Sequence, residues 1–113
     1  MQSLKLADDL FPAVLARTKR NTVRSGRRDI APGPLAFEPT SGRGDPVVVN
    51  VVSVAHQRLR DLTDDQARRD GADTAAELAV AMRRFYPDIG PDDEITVVEF
   101  ALPSPPAGAA ASP

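Results

Sequence analysis

Val47-Val48-Val49-Asn50-Val51-Val52-Ser53-Val54-Ala55 carries six valines in nine residues. Side chains branched at Cβ favour the extended, pleated backbone. The near-unbroken apolarity of the run predicts a central strand buried on both faces. Upstream, Pro39 to Pro46 is rich in Gly, Ser and Pro with Arg43 as its one cation, and reads as a hairpin loop. Before that loop, Leu35-Ala36-Phe37-Glu38 alternates as a short strand with Leu35 and Phe37 on one side, and Ala31-Pro32-Gly33-Pro34 reads as a turn.

On the other side of the valine run, Thr63-Asp64-Asp65-Gln66 matches a capping box, so a short helix is expected to start there and to end near Gly71. Asp64 and Asp65 complement the positive end of that helix. Thr74-Ala75-Ala76-Glu77 is a second capping box; its helix is expected to run to about Phe85, burying Leu78, Met82 and Phe85, with Pro87 closing it. Glu94 to Ala101 completes the pattern as a final strand. Towards the N-terminus, Asp8 to Ala16 is read as a short amphipathic helix with Pro12 in its first turn, and Asn21 to Arg24 as a strand with Thr22 and Arg24 on one face. The order of elements implies an α+β domain: a mostly antiparallel sheet of five or six strands curled into a small barrel, flanked by short helices.

At 113 residues the chain fits one domain, assigned to 1–102, and the Pro/Ala-rich tail 103–113 is expected to be disordered. Four Phe, one Tyr and no Trp leave a core of Val, Leu, Ile and Ala, and no aromatic platform on which a single strand of nucleic acid could stack. Zero cysteines exclude disulfides, thiolate metal sites and cysteine nucleophiles. His56, at the end of the valine strand, has no second ligand in sequence reach, so no metal and no cofactor are expected. Nothing at the N-terminus reads as a signal peptide or membrane span, and a monomeric cytoplasmic protein is the expectation.

The formal net charge of −2 conceals an uneven distribution. Arg17, Lys19, Arg20, Arg24, Arg27 and Arg28 fall in one segment without an acid. In an acidic chain such a patch serves a small ligand or one localised contact rather than a coat of nucleic acid. A solvated edge strand is the plain reading of these cations. The chemical reading turns on Lys19 and Thr22: a hydroxyl becomes nucleophilic when a base takes its proton, and lysine can be that base when burial or neighbouring cations lower its pKa. Arg68-Arg69 and Arg83-Arg84 read as solvated helix faces, and Tyr86 as a helix-end packing residue. Asp70, in the last turn before Gly71, is poorly placed for the helix dipole. It reads either as a solvated residue or as a functional one.

The run Lys19-Arg20-Asn21-Thr22-Val23-Arg24 resembles the Lys-x-x-Thr-x-Arg signature of the ASCH family, small PUA-like barrels implicated in handling RNA and modified nucleosides. The segments Leu62 to Gly71, Ala76-Glu77-Leu78, Phe85-Tyr86-Pro87 and Val97-Val98-Glu99-Phe100 follow in the family's order, so the resemblance spans roughly Leu10 to Leu102. Threonine in the signature is similar to the bacterial N(4)-acetylcytidine amidohydrolases. That resemblance implies a catalytic Lys19, Thr22 and Asp70, with Arg24, Arg17 and Arg20 binding substrate. Arg17 stands where the family usually has Gly, and Asp70 where the amidohydrolases have Glu. The implied activity is hydrolysis of the acyl group from the exocyclic amine of acylated cytidine, with a nucleoside or RNA as partner. The alternatives are a non-catalytic RNA-binding module and an ASCH-type ribonuclease.

Overall fold

The computed structural model describes residues 1–103; the rest of the tail expected to be disordered lies outside the described residues. Five strands form one sheet: β1 (Gln2–Leu6), β2 (Asn21–Ser25), β3 (Gly33–Pro39), β4 (Val47–Arg58) and β5 (Glu94–Ala101). Their order across the sheet is β1-β3-β4-β5-β2. Only β1 runs parallel to its neighbour, pairing Gln2 with Leu35 through Leu6 with Pro39. The other three pairings are antiparallel. The helices are α1 (Phe11–Leu15), entered through a 3-10 turn at Asp8–Leu10, then α2 (Asp64–Asp70) and α3 (Ala75–Met82). Among the described residues no helix is long and apolar enough to cross a membrane.

The valine run is central, between β3 and β5, as its composition requires. The expected burial on both faces is corrected. Val49 and Val51 point into the core, whereas Val48 and Val52 are 41% and 59% exposed. Strand alternation puts both on the outer face, and Val52 is also the extra residue of a bulge, since the register with β5 slips between Val51 and Ser53. Doubly buried character belongs instead to β5. Its Ile95 and Val97 join Val23, Leu62, Leu78 and Met82 in one apolar cluster under α2 and α3. Its Val98 and Phe100 join Leu6, Val14, Leu35, Phe37 and Val49 in a second cluster on the opposite face.

Three further expectations change. β1 was not read from the sequence, although Leu4 and Leu6 alternate with Ser3 and Lys5 as a half-buried strand should. The turn expected at Ala31–Pro34 is shorter, since Gly33 and Pro34 already pair with Val51 and Asn50. Finally, α3 stops at Met82, so Phe85 lies beyond the helix and is 48% exposed, under the Arg84 guanidinium at 4.8 Å from the ring centre.

The caps follow the sequence closely. Thr63 accepts from Gln66 N while Gln66 Oε1 accepts from Thr63 N, completing the box at α2. Thr74 caps α3 by accepting from Glu77 N, but the Glu77 carboxylate reaches Asp73 N instead of closing the second box. Asp64 accepts from Ala75 N at 2.8 Å and so holds the two helix starts together.

Two helix ends aim the residues of the site. Gly71 ends α2 with φ 112° and accommodates that backbone because it lacks Cβ. At the end of α1, Arg17 N donates to Val14 O at 3.1 Å and Thr18 N to Ala13 O at 3.0 Å, with Arg17 itself at φ 64°. This is a Schellman ending with arginine in the left-handed position that glycine fills at least cost. Both positions make a prediction for chemical denaturation. Gly71→Ala meets no atom within 4 Å of the new Cβ, so its cost is backbone strain alone, about 1–2 kcal/mol of lost stability. Arg17→Gly relieves that strain but frees the unfolded chain and loses the Arg17 Nη1 bond to Leu102 O, so it should cost less than Gly71→Ala and change stability by under about 1 kcal/mol.

Candidate functional site

The Schellman turn sends the chain inward, and Lys19, two residues later, is only 4% exposed. An ammonium so deprived of water needs a counter-charge. Asp70 supplies it: Lys19 Nζ lies 2.9 Å from Asp70 Oδ1, and the Asp70 side chain is 16% exposed. The backbone reinforces this junction. Arg20 N donates to Arg69 O, and the buried Asn21 donates from Nδ2 to Gln66 O at 2.9 Å, so the end of α2 is fastened along the entry to β2.

Along β2, Thr22 and Arg24 share one face as their spacing requires, while Val23 turns into the core beneath the helices. Arg24 Nε donates to Thr22 Oγ1 at 2.9 Å, and Nη1 donates to Lys5 O on β1 at 2.7 Å. The two edge strands of the sheet are therefore bridged by a side chain instead of a backbone ladder. The barrel stays partly open there, and a cavity of about 320 Å³ occupies the gap. Lys19, Thr22, Arg24 and Asp70 all line it, together with Leu10, Met82 and Tyr86. The sequence alone left Asp70 between a solvated and a functional reading; in the fold it faces the cavity, paired with Lys19.

Burial lowers the pKa of Lys19, and the nearby Arg24 charge lowers it further, while the charge and hydrogen bond of Asp70 act in the opposite direction. Burial is also the main cause lowering Arg24, aided by the neighbouring Arg28 and opposed by Tyr86 and Asp70. Arg24 remains a fixed cation, because guanidinium does not give up its proton in proteins. Lys19 is the group whose charge can change.

Arg17 and Arg20 do not line this cavity. They border a smaller one, about 100 Å³, beside Val14, Phe100 and Leu102, with Lys19 between the two spaces. Arg17 Nη1 donates to Leu102 O, which ties the helix ending to the end of β5. His56 is exposed, with Nδ1 at 3.1 Å from Thr96 Oγ1. Among the described residues no group of three His, Cys, Asp or Glu side chains is arranged to hold a metal. Arg84, read as a solvated helix residue, pairs with Asp9 at 2.9 Å and lines the cavity mouth. Sequence reasoning placed Tyr86 in helix-end packing and did not connect Lys5 with the site; both line the cavity. The helix ends at Met82, ahead of the Phe85-Tyr86-Pro87 signal, and the turn after Met82 brings the phenol to the cavity.

No family model matches the chain, and no curated protein is significantly similar to it in sequence. Solved structures do share its fold. A protein of Enterococcus faecalis assigned to family DUF984 superposes with a TM-score of 0.75 at 14% identity, covering 91% of this chain and 76% of its own. An ASCH domain from Lactobacillus crispatus gives 0.69 at 16% identity, with 88% and 79% covered. A variant of an ASCH protein from Zymomonas mobilis gives 0.60 at 12% identity, with 88% and 67% covered. The chain has the ASCH-like, PUA-like α+β fold: a mostly antiparallel curled sheet with short flanking helices.

Proposed function

We propose that the protein is an amidohydrolase that removes the acyl group from the exocyclic amine of N(4)-acetylcytidine or a related acylated nucleoside. The supporting observation is that a buried Lys19–Asp70 pair and a Thr22 hydroxyl held by Arg24 line one cavity. Its volume of about 320 Å³ is at the lower end of the range for small-molecule sites and suits one nucleoside better than a polymer tract. The likeness to ASCH structures supports the fold on which this reading is built. The same proposal places the protein in the cytoplasm, acting as a monomer.

The chemistry has two balanced halves. Thr22 Oγ1 attacks the acyl carbonyl carbon and passes its proton to the free amine of Lys19. Lys19 returns that proton to the exocyclic nitrogen as the C–N bond breaks, and the acyl group remains as an ester on Thr22. Water then attacks the ester carbonyl as Lys19 takes its proton; Lys19 hands that proton to Thr22 Oγ1 as the Oγ1–C bond breaks, which releases the carboxylic acid and restores the hydroxyl and the free amine. Asp70 accepts from Nζ, steadies the ammonium that forms and relays its proton. Arg24 orients the hydroxyl through Nε. A binding module that reads RNA through its phosphates would instead rest on the exposed Arg17 and Arg20.

Turnover assays with N(4)-acetylcytidine, read by chromatography for cytidine, separate the two. Lys19→Ala, Thr22→Ala and Asp70→Asn should each lower kcat about 100-fold or more while nucleoside affinity changes only several-fold, because these groups act mainly in the transition state. Equal cytidine release by wild type and Lys19→Ala would end the enzyme reading.

The pH profile carries a sign as well. Only the free amine accepts a proton, so kcat/KM should rise with pH through the Lys19 pKa, which burial holds below the ordinary lysine value. Asp70 raises that pKa and Arg24 lowers it. Asp70→Asn should therefore move the rising limb to lower pH, and Arg24→Gln should move it to higher pH. A limb that stays in place in both variants would remove Lys19 as the base.

A further inference from the structure

Most cations of this protein either meet a carboxylate or extend into water. Lys5, Lys19, Arg27, Arg60, Arg69 and Arg84 are ion-paired. Among the described residues, the arginines without a carboxylate within 4 Å are exposed, with two exceptions: Arg24 and Arg28 are both half-buried. These two are neighbours, each close to the same phenol. Arg28 Nη2 donates to Tyr86 Oη at 3.4 Å, and Tyr86 and Arg24 line the cavity together. Asp70 acts on Arg24 only at longer range and is already engaged by Lys19.

A partly desolvated cation with no counter-charge is costly, and two side by side are more so, since each disfavours the other. The hydrogen bonds they make do not neutralise them: Arg24 serves Thr22 Oγ1 and Lys5 O, and Arg28 serves Ser25 O and Tyr86 Oη. Neither guanidinium has a carboxylate within 4 Å among the described residues, and the Tyr86 hydroxyl stands beside both. Paired guanidinium forks with a phenol between them match the oxygens of a phosphate better than any neutral group.

We infer that Arg24 and the Tyr86 hydroxyl, which line the cavity, form a phosphate subsite at its edge with Arg28, which adjoins the cavity through its bond to Tyr86 Oη, so that the preferred substrate is a nucleotide, the phosphate ester of the nucleoside, over the free nucleoside. The subsite stands on the unpaired arginines alone; only the acylated cytidine as its carrier rests on the hydrolytic reading. Calorimetric titration of the folded protein with cytidine, cytidine 5′-monophosphate and inorganic phosphate at about 50 mM salt tests it, since affinities that depend on charge are read best at low ionic strength. Wild type should hold the monophosphate at least about tenfold more tightly than cytidine, with phosphate competing, in line with the worth of charge-assisted bonds. In Arg28→Gln the ratio should fall to about one, and in Tyr86→Phe it should fall several-fold. A ratio near one in wild type, or a ratio that survives Arg28→Gln in a protein of unchanged circular dichroism, would overturn the subsite. Selective binding of the monophosphate without turnover of either acylated form would support the subsite and sink the hydrolase. Turnover that is indifferent to the phosphate would do the opposite.

Discussion

Burying the Lys19 ammonium between β2 and α2 constrains almost everything around it. A charge removed from water is tolerated only with a partner in good geometry, and Asp70 is that partner at 2.9 Å. The pair fixes where α2 must end, and Gly71 supplies the left-handed residue that lets it end there. The bonds from Arg20 and Asn21 to the carbonyls of α2 lie along the same junction. Stability alone does not call for such a pair, since replacing a buried ion pair by apolar residues of similar volume is often neutral or stabilising. What burial adds is a lysine whose proton is held less firmly than usual, with Asp70 acting against that shift.

The second constraint is that the sheet does not close on itself. β1 pairs only with β3 and β2 only with β5, so two backbone edges face each other across the cavity. Arg24 spans them through Lys5 O and Thr22 Oγ1. A full ladder would have filled this place with backbone and left no site. The opening is lined by both apolar clusters of the molecule, through Leu6 on one side and Leu78 and Met82 on the other. The cavity is therefore a seam between two cores rather than a groove on the surface, which explains how a lysine and a threonine in it come to be nearly inaccessible.

Local signals in the sequence were sufficient for the capped helices, the Gly71 stop, the valine strand and the shared face of Thr22 and Arg24, because each depends on a few neighbouring residues. Long-range consequences were not legible. The bulge at Val52 is a slip in pairing against Glu99 and Phe100, and β5 is buried on both sides because distant elements build one apolar cluster on each of its faces. β1 is only five residues long, and its parallel partner lies some thirty residues away, beyond the reach of a local pattern. In the site, spacing brought Lys19, Thr22 and Arg24 together, but only the family resemblance linked them with Asp70. Arg28 and Tyr86 went unconnected because 58 residues separate them, and only the curl of the sheet brings them into contact.

The central claim is that Lys19 is a desolvated amine whose proton is governed by Asp70 and Arg24. Heteronuclear NMR of lysine side-chain carbons follows this directly, for the chain has two lysines, Lys5 and Lys19, and the Lys19→Arg protein assigns the second. The account predicts that the Lys19 signal titrates below the ordinary lysine value of about 10.4, moves to still lower pH in Asp70→Asn and rises in Arg24→Gln. A Lys19 signal that titrates at or above that ordinary value and stays there in both variants would contradict it.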